Sequence, residues 1–143
     1  MNIGVDIHGV ISRYPFLFKK LTELWATEGY RIHIVTGKEW ATSEPEVKKA
    51  GITYHEHFSI VDNHKNIGTE MWEKPDHNGF WMEDEIWNKS KGGYAEAWNL
   101  GIHFDDSKFY GQYFPNSCTY IQVPKYDFDK ICEKILGLDL TCM

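Results

Sequence analysis

The sequence has few of the features that mark secreted or membrane proteins. Its three cysteines, Cys118, Cys132 and Cys142, are an odd number at unrelated spacings, which indicates reduced thiols rather than a disulfide framework. No apolar run is long enough to cross a bilayer, and the first residues, MNIGVDIHGV, are not a basic segment followed by a long apolar stretch. We therefore expect a cytoplasmic protein without a membrane partner.

The sequence also lacks an excess of positive charge. Its formal net charge is -6, so no long-range field attracts a polyanion. Two short basic clusters, Lys19-Lys20 and Lys48-Lys49, lie in amphipathic patterns that predict solvated helix faces. Binding along a nucleic-acid backbone is therefore not expected, whereas binding of a nucleic-acid end stays open.

Length and composition predict one domain. The 143 residues are 42% hydrophobic and contain no internal repeat or low-complexity tract, which suits a single domain over residues 1–143. An aromatic-rich stretch at about residues 64–88 has no regular period, and it is too apolar to be disordered. We interpret it as an insertion.

The remaining chain alternates between strand and helix patterns. Strands are predicted at residues 2–5, 31–35, within 54–62, at 102–104 and at 119–123, and helices at 15–28, 43–50, from 92 or 93 to 100, and at 128–136. Ser43 is the expected N-cap of the second helix, with Pro45 in its first turn. This alternation predicts a three-layer α/β/α fold with a mostly parallel sheet.

Polar residues follow the predicted strands at several junctions. Asp6 and His8 come after the first strand, Thr36 after the second, and Asp105 with Asp106 after a later one, and a lysine precedes the third helix. In an open α/β sheet, ligands bind outside the carboxyl ends of the strands. We therefore expect these side chains to form one site.

Four of these segments resemble the ordered motifs of haloacid dehalogenase-like hydrolases. They are VDIHGV at 5–10, IVTG at 34–37, Lys91, and HFDDS at 103–107. The resemblance spans most of the chain and implies a Rossmann-like sheet. The spacing between the first two motifs leaves no room for a large cap domain there.

The resemblance also implies a chemistry. Asp6 would attack phosphorus and form an aspartyl-phosphate, which water then hydrolyses. Mg²⁺ would be held by Asp6, the main-chain oxygen of His8 and Asp106, with Asp105 as an alternative ligand or as support. Thr36 and Gly37 would bind the phosphate, and Lys91 would stabilise both phosphate and Asp6. Lys89 competes with Lys91 for that role.

His8 departs from the family pattern. Phosphatases of the superfamily usually carry a second aspartate at this position, which protonates the leaving alcohol. Histidine can serve as a general acid or base. The alternative is a catalytically impaired protein that binds Mg²⁺ and a phosphorylated ligand in a regulatory or binding role.

The substrate class is suggested by the aromatic stretch. Trp72 and Trp81 offer flat rings on which a base could stack, which favours a small phosphorylated substrate such as a nucleotide. A homodimer stays open. Zinc is not expected, because the spacing of His55, His57 and His64, with Glu56, Asp62 and His77 nearby, matches no tetrahedral pattern.

Overall fold

The described part of the chain contains seven strands and five α-helices. The computed structural model describes residues 1–76 and 79–140. The strands are β1 (Asn2–Val5), β2 (Arg31–Thr36), β3 (Glu56–Ser59), β4 (Trp72–Lys74), β5 (Gly79–Trp81), β6 (Leu100–Asp105) and β7 (Thr119–Gln122). The helices are α1 (Pro15–Thr27), α2 (Trp40–Lys49), α3 (Ile60–Ile67), α4 (Asp84–Ala97) and α5 (Phe128–Leu136).

Five of the strands form a parallel sheet in the order β3-β2-β1-β6-β7. The central strand β1 pairs with β2 on one side and β6 on the other. Its successive residues Ile3, Gly4 and Val5 are all buried, as expected for a strand covered on both faces. The carboxyl ends of β1, β2 and β6 therefore lie side by side at one edge.

Helices cover both faces of this sheet. The larger core joins α1, α2 and α5 to the sheet, with Phe18, Val47 and Ile34 buried within it. On the opposite face, α3 and α4 pack through Ile60, Trp87 and other apolar side chains. The predicted three-layer α/β/α, Rossmann-like architecture without a large cap domain is confirmed.

Helix α2 begins earlier than predicted. It starts at Trp40, and Ser43 lies buried inside the helix rather than at its N-cap. The Trp40 backbone N–H donates to Asp62 Oδ2 at 3.0 Å, so a side chain from α3 satisfies one free donor of the first turn. The prediction was wrong because this capping group lies outside the local sequence.

The region around residue 60 also differs from its prediction. Strand β3 ends at Ser59, and Ile60 and Val61 open helix α3. The Ser59 side chain accepts a hydrogen bond from the Asp62 N–H, a standard N-cap interaction. Two consecutive β-branched residues suggested a strand, but the cap and the burial of both side chains stabilise a helix.

The predicted aromatic insertion contains regular elements. It holds the end of α3, an antiparallel hairpin formed by β4 and β5, and the first part of α4. Helix α4 begins at Asp84, before the Gly92-Gly93 pair that was expected to open it. At Gly92 the helix packs so closely that an added Cβ would lie 2.2 Å from the Tyr113 carbonyl oxygen, so this contact requires glycine inside the helix.

The described residues contain no helix that is both long and apolar enough to cross a membrane. Cys118 and Cys132 are free thiols, and Cys142 lies outside the described residues. The cytoplasmic location and the single-domain organisation stay predictions.

Candidate functional site

Asp6 lies where β1 ends at the carboxyl edge of the sheet. Its N–H donates to the Phe104 carbonyl at 3.0 Å, which continues the pairing of β1 with β6. Its Oδ1 accepts from the Ile7 N–H at 2.8 Å. The backbone then turns through extended His8 and through Gly9 at φ 79°, so the buried carboxylate is fixed at the start of an irregular turn.

Lys91 joins Asp6 to Asp105. Its ammonium lies 3.0 Å from Asp6 Oδ1 and 2.8 Å from Asp105 Oδ2, and all three side chains are buried. Lys91 comes from α4 and Asp105 from the end of β6, so one ion pair network links a helix to two neighbouring strands. Lys89, the sequence-based rival, is exposed and lies on the side of α4 that faces α3.

Both carboxylate oxygens of Asp105 make contacts within the protein. Besides Lys91, its Oδ2 lies 3.0 Å from His103 Nε2, and its Oδ1 accepts from the Ser107 N–H at 3.1 Å. The side chain is fully buried. These contacts make Asp105 a support for Lys91 and for the following loop, and they leave Asp106 as the more accessible of the two acids.

The pKa values of Asp6 and Asp105 are shifted in opposite directions. Burial raises the pKa of Asp6 well above its ordinary value, and Asp105 and Asp106 raise it further, against the opposing effect of Lys91. Burial alone would also raise the pKa of Asp105, but Lys91 and His103 hold it far below its usual range. Burial tends to lower the pKa of Lys91, yet Asp105 and Asp6 outweigh it and raise that pKa.

Asp106 approaches the turn after β1 closely. A Cβ at Gly9 would lie 2.1 Å from Asp106 Oδ2. This close approach and the positive φ of residue 9 both require glycine. Burial raises the pKa of Asp106, and the charge of Asp105 adds to this effect. A carboxyl oxygen from each of Asp6, Asp105 and Asp106 lies within 4.8 Å of the others.

These groups open into a cavity of about 180 Å³. Its lining residues are Asp6, His8, Gly37, Lys38, Trp87, Lys91, Asp106, Ser107 and Tyr110. The indole N–H of Trp87 donates to the Tyr110 hydroxyl at 2.9 Å, so the two rings form one wall. A Cβ at Gly37 would lie 2.7 Å from the Trp87 ring, which explains why glycine follows β2.

Four lining residues were missed by the sequence reasoning: Lys38, Trp87, Ser107 and Tyr110. The signal for Trp87 was its spacing, because it lies four residues before Lys91 and shares a helix face with it. That signal was hidden by the incorrect start predicted for α4.

The tryptophans expected at the substrate lie elsewhere. Trp81 stacks on Trp87 with ring centroids 4.4 Å apart, and its indole N–H donates to Asp84. Trp72 lies on β4 and is half exposed. Neither belongs to the cavity lining, whose aromatic residues are Trp87 and Tyr110.

Of the other two predicted catalytic residues, His8 lines the cavity and Thr36 does not. Thr36 is fully buried at the end of β2, and its hydroxyl has no hydrogen-bond partner among the described residues. His8 lines the cavity, with Nε2 3.3 Å from Glu46 Oε2 on α2. Burial lowers the pKa of His8, although Glu46 opposes this effect.

His55, His57 and His64, which were considered as zinc ligands, each contact different residues. His55 Nδ1 accepts from the Ile32 N–H, and His57 stacks on Trp40 with centroids 4.1 Å apart. His64 lies between Thr69 and Ser90. His77 lies outside the described residues.

Comparison with known proteins gave one structural likeness. No protein-family model and no curated protein matches the chain. A solved structure that resembles it is glycinamide ribonucleotide transformylase 1 from Symbiobacterium toebii, with a TM-score of 0.43 and 13% identity. The match covers 84% of this chain and 50% of that one, so the chain spans about half the length of the transformylase.

These findings correct the family assignment. No family model supports the haloacid dehalogenase-like assignment and the structure found is a transformylase, so this assignment is wrong, together with the phosphomonoesterase activity through Asp6 and the alternative of a catalytically impaired member of that family. The physical reason is that any Rossmann-like sheet gathers polar strand ends at one edge, whatever its chemistry. Binding of Mg²⁺ and of a small phosphorylated ligand is a separate expectation, which this comparison does not test. At this level the likeness to the transformylase supports no statement about activity. The fold is nevertheless of a type that enzymes use.

Proposed function

We propose that the chain binds a divalent cation, Mg²⁺, together with a small phosphorylated ligand at the carboxyl edge of its sheet. The observation that carries this proposal is the cluster of three carboxylates around one buried lysine. With all four groups ionised, the cluster keeps two uncompensated negative charges, which a divalent cation neutralises. The raised pKa values of Asp6 and Asp106 reflect that uncompensated charge as well as burial.

The donor set suits Mg²⁺. This hard cation prefers six oxygen ligands and keeps several waters, using one or two protein carboxylates. Asp6 and Asp106 are the expected ligands with the main-chain oxygen of His8, while Asp105 supports Lys91. Imidazole and thiolate donors, which favour zinc or copper, are absent from the acid cluster in the described residues.

The phosphorylated ligand follows from the surroundings of the cation. The cavity has room for roughly six waters, enough for a phosphoryl group and part of a cation's hydration shell. Lys38, the backbone at Gly37 and the Ser107 side chain lie around it, and they offer a charge, an N–H and a hydroxyl group to phosphate oxygens. Lys91 is already shared by two carboxylates, so the cation supplies the main attraction for phosphate.

The test is titration calorimetry with Mg²⁺, followed by inorganic phosphate in its presence. Asp106→Asn removes one ligand without removing buried bulk, and we expect Mg²⁺ affinity to fall by at least about tenfold. Glu23→Gln, an exposed acid on α1, is the control that changes net charge equally. Equal Mg²⁺ affinity in Asp106→Asn and wild type would contradict the proposal.

A second measurement locates the cation. Substoichiometric Mn²⁺ should broaden the amide NMR signals of Gly9 and Ser107 before that of Gly29, which precedes β2 at the opposite edge of the sheet, because paramagnetic broadening falls steeply with distance. Uniform broadening across the protein would contradict a site at Asp6 and Asp106.

A further inference from the structure

A second, larger cavity lies beside the acidic site. Its volume is about 440 Å³, and it lies between the start of α1 and the end of α2. Most of its lining is apolar, from Ile7, Ile11, Pro15, Phe16 and Ala50. Phe16 is 56% exposed, so its ring is accessible at the wall of this cavity.

The two cavities adjoin through the turn after β1. Ile7 lines the larger cavity, while its chain neighbours Asp6 and His8 line the smaller one. The backbone at Ile7 therefore forms the boundary between the two cavities, and its side chain is fully buried. His8 also lies 3.3 Å from Glu46, which lines the larger cavity. The two cavities therefore share a border at Ile7 and at the His8–Glu46 pair.

Positive charge borders the apolar wall. Lys19 and Lys49 line the cavity, although the sequence assigned both to ordinary solvated helix faces. The stem of Lys19 lies over Gly51, where an added Cβ would approach its Cε to 3.2 Å. The fold thus brings two lysines from separate basic clusters to the same cavity as an exposed phenyl ring.

We propose that this cavity binds the ring-bearing part of the same phosphorylated ligand, and that this part is a flat heteroaromatic ring with hydrogen-bond acceptors, as in a nucleoside monophosphate. The inference rests on the proposed function, since the phosphate end is bound at the acidic cluster. Phe16 supplies a stacking surface, and Lys19 and Lys49 donate to acceptors at the ring edge. A ligand with an aliphatic tail would use the apolar wall but would gain no interaction with either ammonium group.

The experiment compares two probes in the presence of Mg²⁺. Inorganic phosphate reports on the acidic cluster alone, and a panel of nucleoside monophosphates reports on both cavities. We expect at least one nucleotide to bind about tenfold or more tightly than phosphate. Phe16→Ala should weaken nucleotide binding by at least about fivefold, the lower range for base stacking on an aromatic ring, and leave phosphate binding unchanged.

Matched control variants show whether a loss of nucleotide affinity is specific to residues that line the cavity. Leu24→Ala removes another exposed apolar side chain of α1 that does not line the cavity. Lys19→Gln is paired with Lys20→Gln, which changes the adjacent, partly exposed lysine of the same helix. We expect Phe16→Ala and Lys19→Gln to weaken nucleotide binding, and Phe16→Trp to retain it, while both control variants match the wild type.

The outcomes distinguish this inference from the proposed function. If phosphate binds with Mg²⁺ but every nucleotide binds no more tightly, or Phe16→Ala binds nucleotide as well as wild type does, the ring subsite is refuted and the cation site stands. If phosphate and Mg²⁺ do not bind while a nucleotide binds in a Phe16-dependent way, the proposed function fails and the subsite stands.

Discussion

At the residue scale, the buried lysine of the site has the largest energetic consequence. Lys91 compensates two carboxylates at a place where all three side chains are buried, and an unpaired buried charge is far more costly than an exposed one. The acids at Asp6 and Asp105 could be predicted because each follows an apolar strand. The choice of Lys91 over Lys89 could not be argued correctly, because the helix carrying both begins earlier than the sequence pattern suggested.

Replacing this lysine should destabilise the fold. We expect Lys91→Met to lower the free energy of unfolding by about 3–5 kcal/mol in the absence of divalent cations, since Asp6 and Asp105 would lose their shared counter-charge. Urea denaturation measures the change. Lys89→Met, on the exposed side of the same helix, should stay within about 0.5 kcal/mol of wild type. Equal losses in the two variants would contradict the assigned role.

A glycine pair separates backbone strain from contact with Asp106. Gly9 and Gly29 both have positive φ, but a Cβ at Gly29 meets nothing within 4 Å, whereas one at Gly9 meets the Asp106 carboxylate. Gly29→Ala should therefore cost only about 1–2 kcal/mol of backbone strain. Gly9→Ala should cost more, and it alone should weaken Mg²⁺ binding, as calorimetry would show. Unchanged Mg²⁺ affinity in Gly9→Ala would indicate that Asp106 is not a ligand.

At the element scale, the contacts at helix starts explain where sequence reasoning succeeded and failed. The boundaries of α1 and α5 follow from local signals, namely Pro15 at the first position and Gly137 after the last. The starts of α2 and α3 depend on each other instead, because Asp62 of α3 binds the Trp40 N–H and Ser59 binds both Asp62 and the Lys38 carbonyl. Such reciprocal contacts are invisible in a single segment.

Removing the Ser59 hydroxyl tests this connection. Ser59→Ala should lower the free energy of unfolding by about 1–2 kcal/mol, because the cap of α3 and the bond to Lys38 are lost together. Thr27→Ala, which removes an exposed hydroxyl bonded to Glu23 within α1, is the control and should change stability little. Chemical denaturation of both variants gives the comparison. A loss confined to Thr27→Ala would refute the proposed connection.

At the scale of the whole molecule, the fold class was predictable and the family was not. Alternating apolar strands and amphipathic helices restrict the chain to a parallel sheet between helical layers, whichever reaction it supports. The same restriction places polar strand ends together in unrelated proteins, so short motifs at those positions did not establish a family. The aromatic walls of the site, Trp87 and Tyr110, were missed because they come together only through long-range packing.

Buried histidines should make the stability of the whole molecule depend on pH. Burial lowers the pKa of His64, whose ring lies 2.7 Å from Thr69 Oγ1 and 2.9 Å from Ser90 Oγ. As pH falls through about 6.5, the unfolded chain therefore binds a proton before the folded one does, and this ring's contribution to stability declines.

The variant His64→Gln isolates this contribution. It should be less stable than wild type at neutral pH, and the difference should narrow by up to about 1.4 kcal/mol per pH unit on acidification below about 6.5. Urea denaturation at a series of pH values measures this slope. A difference that stays constant or widens would contradict a lowered pKa for His64.

The spacing of Trp87 and Lys91 constrains how this chain can change over evolution. Both residues project toward the site from one face of α4, four positions apart, and each step along a helix turns the side chain by about 100°. Substitutions between them can be absorbed on the other faces of the helix. A deletion or insertion of one residue would rotate the indole away from the ammonium, so we expect this interval to accept new residue types but not a new length.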